Sequence, residues 1–237
     1  MNDAPPAVRL ESVRKVYPTG DEEVVALDHA TLTLAHGEII ALVGPSGSGK
    51  TTLCSIAGGI LSATDGTVCV AGQDITAFSS SELTDFRREH VGFVFQGFNL
   101  LKRTTALENL ELPLVYRGVP AAERHRLATA TLARVGLGDR SHHTASELSG
   151  GQQQRVAIAR ALVTDPRVIF ADEPTGNLDS ARTHEIMGFF SELNRSNGLT
   201  IVMVTHEEEV AAYAGRQIRF RDGHIESDQL NPNRSRT

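Results

Sequence analysis

The strongest constraint on the fold is a set of short apolar runs that share one kind of ending. Ile39-Ile40-Ala41-Leu42-Val43 is continuous rather than alternating and stops at Gly44, as expected of a strand buried on both faces of a parallel sheet. Val91 to Phe95 stops at Gln96, Val168-Ile169-Phe170-Ala171 at Asp172-Glu173, and Ile201-Val202-Met203-Val204 at Thr205-His206. In open α/β sheets ligands bind beyond the carboxyl edge. Gly44 onward, Gln96, Asp172, Glu173 and His206 are therefore expected to converge although they span more than half of the chain. Helical patterns at 50–57, 152–163, 181–194 and, more briefly, 207–213 alternate with the runs, which argues for a mostly parallel sheet with crossover helices.

The stretch from about 97 to 149 breaks that alternation. It reads as helices at 105–116 and 121–135 separated by Gly118-Val119-Pro120, an inserted helical subdomain. Alternating segments at 7–17, 30–35 and 67–71 read as an antiparallel N-terminal sheet leaning on the core. Residues 1–227 are expected to form a single domain and 228–237, with Pro232 and no apolar residue after Leu230, a flexible tail. No apolar run approaches the roughly 18 residues of a spanning helix, so a membrane role is expected to be peripheral. Asp3, Pro5 and Pro6 stand where a signal peptide needs basic residues and an unbroken apolar stretch. The formal charge of −6 gives no electrostatic footprint for nucleic acid. Cys54 and Cys69 are too far apart for a metal clip and read as buried free thiols of a reducing compartment.

Gly44-Pro45-Ser46-Gly47-Ser48-Gly49-Lys50-Thr51 fits the phosphate-loop pattern, between an expected buried strand and an expected helix. Its glycines let successive backbone N–H groups turn inward around phosphate oxygens, Lys50 reaches the β and γ phosphates, and Thr51 offers a hydroxyl to Mg²⁺. Thr52 is either a further phosphate contact or a polar helix residue. Asp172 sits where a carboxylate holds the magnesium ion, and Glu173 where one polarises an attacking water. Two carboxylates beside a di- or triphosphate make sense only with the cation; read alone, Asp-Glu-Pro is an acidic surface turn. His206 can donate to a γ-phosphate or position water, and Gln96 can complete the metal shell, although each is also an ordinary residue after a strand. Tyr17 can stack on a purine ring or close a strand. Ser149-Gly150-Gly151-Gln152 opens a helix with Ser149 as N-cap, a second anion-binding device. One nucleotide does not need two such cradles about a hundred residues apart. A symmetric dimer, in which this one serves the nucleotide of another copy, is the expected use.

With those residues in view the sequence resembles the ATP-binding subunits of ABC transporters over nearly its whole length and in the family's order. Gly44–Thr51 resembles Walker A, Gln96 the Q-loop, Leu148–Gln152 the signature motif and Val168–Asp172 Walker B. Glu173 resembles the catalytic glutamate, Asn177-Leu178-Asp179 the D-loop, His206 the switch histidine and Tyr17 the A-loop aromatic. The resemblance implies a P-loop NTPase core and a head-to-tail homodimer with two ATP molecules. Each ATP would be bound by Walker A of one subunit and by Ser149, Gly150, Gly151, Gln152 and Asp179 of the other, with Thr51, Gln96 and Asp172 at Mg²⁺.

Ala171–Ser180, Phe93–Leu101, Leu107–Leu114 and the long opening from Tyr17 to Leu27 are similar to the lipoprotein-release and macrolide-export branch. That implies a separately encoded integral membrane permease, a cytoplasmic location on the inner face of the membrane, and export or extraction of a lipophilic or lipoprotein-like substrate. Lys102-Arg103-Thr104-Thr105, and Ala63 in place of proline, depart from the branch pattern. The alternative within the superfamily is a regulatory ABC ATPase of the cell-division type that gates a membrane partner without transport. A generic importer ATPase also fits the motifs. A soluble ABC ATPase of translation or DNA repair would call for tandem sites or a coiled-coil insertion, neither of which this sequence contains.

Overall fold

A run such as Ile39–Val43 has no polar side chain to turn toward water, so both of its faces must be covered. In the computed structural model, which describes residues 5–20, 22–231 and 234, two sheets and a set of helices do so. In chain order, β1 (Val8–Thr19) and β2 (Glu22–Leu34) precede β3 (Ile39–Val43), which runs into helix α1 (Lys50–Ala57). Strands β4 (Asp65–Val70) and β5 (Gln73–Asp74) follow, then α2 (Ser80–His90) and β6 (Val91–Phe95). Helices α3 (Ala106–Tyr116) and α4 (Ala121–Arg134) make the insertion, and α5 (Gly150–Leu162) returns to β7 (Val168–Asp172). The chain ends its described course with α6 (Ser180–Asn197), β8 (Thr200–Val204), α7 (Glu208–Ala211), β9 (Arg216–Arg221) and β10 (His224–Leu230).

The larger sheet has the order β10-β9-β3-β8-β7-β6, with only β10 antiparallel. The smaller, β2-β1-β4-β5, is antiparallel. The two-residue period of β3 decides what each face meets. Ile40 and Leu42 pack with Leu10, Leu27 and Val68 of the small sheet and with α1, whereas Ile39 and Ala41 pack with Phe190 of α6 and Ile158 of α5. A third cluster, with Leu110, Leu132 and Val156, fastens α3 and α4 to α5.

The fold thus matches the expected α/β core with its antiparallel sheet and inserted helices, with local differences. Helix α5 starts at Gly150 rather than Gln152, because Ser149 caps it. Strand β2 begins eight residues before the expected 30–35 segment. The expected tail is corrected at its start: 228–230 are the end of β10, held by pairing of Asp228, Gln229 and Leu230 with Ile218, Gln217 and Arg216. Asn231 continues this anchoring through Ala212 O and Ala214 O. Residues 232, 233 and 235–237 of that tail lie outside the described residues, as do 1–4 of the N-terminal segment. Cys54 is buried and Cys69 only half-buried, and both are free thiols. No helix among the described residues is long and apolar enough to cross a membrane.

Candidate functional site

The loop between β3 and α1 passes so close to its neighbours that side chains are excluded at two points. Gly44 has φ 143°, and a Cβ there would meet Phe220 O at 2.2 Å. Gly49 has φ 101°, and its Cβ would meet Ala26 O at 2.5 Å. These contacts wedge the loop between β9 and β2 and leave Pro45, Ser46 and Gly47 exposed at the rim, with Ser48 buried behind them. Helix α1 starts at Lys50 without a side-chain cap and without an acidic residue in its first turn. Its first N–H groups and dipole therefore favour an anion.

Lys50 is 6% exposed, and its ammonium donates to Gly44 O (2.8 Å), Pro45 O (2.7 Å) and Ser48 Oγ (3.2 Å). Burial lowers its pKa, while the charges of Glu173 and Asp172 pull it back up.

Asp172 closes β7, in register with Phe95 of β6 and Val204 of β8. Thr51 Oγ1 donates to its Oδ1 at 3.2 Å, so the first turn of α1 and the end of β7 meet. Burial raises the Asp172 carboxyl above the usual range, opposed by the Thr51 bond; Glu173 adds to the rise and Lys50 opposes it. Hydroxyl and carboxylate oxygens are hard donors, and this set suits Mg²⁺. Glu173 adopts φ 45°, which re-aims the chain after β7; its N–H donates to Val204 O at 3.0 Å. His206, just past β8, donates from Nδ1 to Glu173 Oε1 at 3.0 Å. Thus five side chains from the ends of two strands, β7 and β8, and from the first turn of α1 stand together.

Gln96 is exposed at the end of β6 with its amide packed on Gly176, where a Cβ would lie 2.9 Å from Nε2. Asn177 Nδ2 donates to Gln96 O at 2.7 Å, tying it to the segment that follows Glu173. Thr52 is half-buried beside Thr51 on α1. Tyr17 lies on β1 opposite Val24 of β2, on the hairpin whose Ala26 carbonyl abuts Gly49. Lys15 Nζ sits 5.2 Å from the centroid of the tyrosine ring.

The second anion device is elsewhere. Ser149 Oγ accepts from Gln152 N at 3.4 Å and Gln152 Oε1 accepts from Ser149 N at 2.9 Å, a reciprocal cap that fixes the start of α5. Gly150 and Gly151 present the next N–H groups bare of side chain. Asp179 caps α6 through Arg182 N (3.0 Å) and pairs with the Arg182 guanidinium at 3.3 Å. The Arg182 chain passes Gly151, where a Cβ would lie 3.3 Å away. Asp179 therefore belongs with Ser149–Gln152. Among the described residues no hydrogen bond or ion pair joins Ser149–Gln152 to residues 44–52.

Sequence reasoning passed over Gln154 and Arg160, both on α5. Gln154 Nε2 donates to Pro174 O, and Arg160 donates to Asn99 O and Phe98 O just after Gln96. The signal was available: Gln154 falls on the buried face of α5 with Gly151 and Ile158, where an apolar residue is the rule. On the far side of this helix Phe93, Phe95, Leu112, Pro113, Tyr116 and Arg160 line a groove of about 460 Å³ between the sheet and the inserted helices.

The ABC transporter family profile matches residues 27–176. The macrolide export ATP-binding/permease protein MacB of Hyphomonas neptunium is 48% identical over 227 residues, covering 96% of this chain and 35% of that protein. MacB of Burkholderia lata is 49% identical over 226 residues, 95% of this chain and 33% of that protein. The chain thus spans about a third of the length of these curated relatives. Among solved structures, the ATP-binding cassette MJ0796, a dimer in a post-hydrolysis state bound to ADP and Pi, superposes with a TM-score of 0.87 at 41% identity. That match covers 94% of this chain and 98% of the other.

Proposed function

The chain belongs to the ABC transporter family as an ATP-hydrolysing domain, and from that premise we propose that it binds Mg-ATP at the 44–52 loop and hydrolyses it to ADP and phosphate within a homodimer. The observation that carries the reading is the meeting of Thr51 with Asp172 and of Glu173 with His206 at one sheet edge beside that loop. Backbone N–H groups of 44–51 cradle the phosphates and the Lys50 ammonium neutralises β and γ charge. Tyr17 stacks on the base, and Thr52 adds a hydroxyl at the loop's end. Glu173 orients the attacking water; His206 holds that carboxylate through Nδ1 and keeps Nε2 for the γ-phosphate. Bound Mg²⁺ neutralises phosphate charge, and Thr51, Asp172 and Gln96 are the side chains assigned to hold it. Ser149, Gly150, Gly151 and Gln152, with Asp179, close the nucleotide held by the other protomer. The dimeric neighbour bound to ADP and Pi supports that arrangement.

Energy from closure is proposed to drive a membrane permease at the inner face of the cell membrane, in export or extraction of a lipophilic substrate. The combined ATP-binding and permease names of the relatives support this. So does the groove beside α3, whose Tyr116 is 66% exposed; we assign it to an apolar segment of that partner. No observation favours the cell-division alternative. Tyr116→Asp is expected to abolish co-purification of the permease while leaving ATP turnover of the isolated chain unchanged. Glu173→Gln is expected to keep ATP binding, lose hydrolysis by about 1,000-fold and accumulate dimer at saturating Mg-ATP. Turnover assays and size-exclusion chromatography check both losses; a Glu173→Gln chain that hydrolyses normally contradicts the reading.

A further inference from the structure

Glu173 is in the left-handed region, which a residue with a Cβ adopts only when its surroundings impose it. Its N–H is held by Val204 O (3.0 Å) and its carbonyl by Gly176 N–H (3.1 Å). The next carbonyl along the chain, that of the buried Pro174, accepts from Gln154 Nε2 of α5. Gln154 is fully buried, and among the described residues its Oε1 has no hydrogen-bond partner. Because Pro174 O can only accept, the amide nitrogen is fixed toward it and the oxygen is the orphan. A methionine or leucine would fill the same space and remove the orphaned oxygen but would leave Pro174 O without this donor, so the bond to Pro174 is what the glutamine adds.

That bond joins two places that the proposed function uses separately. Gln154 lies little more than one turn from the α5 N-terminus that Ser149 caps, and Pro174 is one residue from the carboxylate. We propose that Gln154 is a positioning residue for Glu173: it ties the signature helix to the chain just past the carboxylate, so that seating a phosphate at the α5 N-terminus sets the direction in which Glu173 points. The inference rests on the reading of Glu173 as the residue that orients water.

The test is Gln154→Met in the full chain, near-isosteric but without the donor, with Gln154→Asn as a second variant whose amide is one methylene short of Pro174 O. Both are expected to lower kcat for Mg-ATP about tenfold or more with KM within about twofold of wild type. Gln154→Met trades the orphaned Oε1 for an undonated Pro174 O and is expected to melt within about 3 °C of wild type. In a Glu173→Gln background, Gln154→Met is expected to lower the residual turnover no further and to leave the ATP-dependent dimer as abundant as in Glu173→Gln alone. Wild-type kcat in either variant overturns the inference, as does an equal loss in the Glu173→Gln background, which marks a general structural role. Loss of hydrolysis in Glu173→Gln with full activity in Gln154→Met removes this inference alone, whereas normal hydrolysis in Glu173→Gln removes the reading beneath it.

Discussion

The sheet edge around Lys50 and the N-terminus of α5 are both candidate anion cradles, and the chain builds them differently. At the sheet edge Lys50 is buried, Thr51 meets Asp172, and His206 meets Glu173, all within one chain. At α5 the side chains of Ser149 and Gln152 satisfy each other, and Asp179 with Arg182 lies alongside. The first cradle carries charge, hydroxyl and carboxylates, the equipment for chemistry; the second carries little besides helix N–H groups and a hydroxyl. On the proposed function, that difference is a division of labour: binding and water activation belong to one protomer, and completion of the site to a surface presented to another copy.

Three substitutions sharpen or break that division. Lys50→Ala removes the buried ammonium and is expected to weaken ATP binding by the isolated chain about 100-fold, near the upper end for hydrogen bonds to a charged group. Titration calorimetry checks it; wild-type affinity contradicts the assigned phosphate contacts. Ser149→Ala removes only one donor, and Gly150 and Gly151 keep theirs. It is expected to leave ATP affinity of the monomer unchanged while lowering turnover about tenfold, with loss of the N-cap costing about 1 kcal/mol of stability. A fall in monomer affinity would show that the two cradles are not separate.

The smallest effect is expected at Asp172. Burial holds its carboxyl above the usual range, so the fold binds that proton more tightly than the unfolded chain. Its contribution to stability is therefore lost as pH rises above the ordinary Asp pKa. Asp172→Asn removes that loss and is expected to raise the melting temperature of the nucleotide-free chain by about 2 °C at pH 7.5. The gain shrinks toward pH 5, which differential scanning calorimetry measures.

What was legible in the sequence follows from how strongly each element is buried. β3, β6, β7 and β8 are covered on both faces and read as unbroken apolar runs, and their ends carry the candidate site. Helix α2 escaped notice because it buries only Leu83 and Phe86 and is otherwise polar; its Ser79/Glu82 capping box was the readable sign. β9 alternates Ile218 and Phe220 with charged residues before Asp222-Gly223, a hairpin signal, while its mate β10 is an exposed edge strand and looks like tail. β2 is longer than its sequence pattern suggests because pairing with β1 slips at irregularities near Ser12 and His29, both at positive φ, which hide the two-residue period. The bond from Gln154 to Pro174 joins positions 20 residues apart whose contact depends on how α5 packs, which no local pattern encodes.

A structure of the chain with Mg²⁺ and a non-hydrolysable ATP analogue tests the shared site directly. Two protomers are expected, with Ser149 Oγ and the Gly151 N–H of each within hydrogen-bond distance of the γ-phosphate held by the partner's Lys50. Two loaded chains whose Ser149 and Gly151 face solvent, away from either triphosphate, would contradict it.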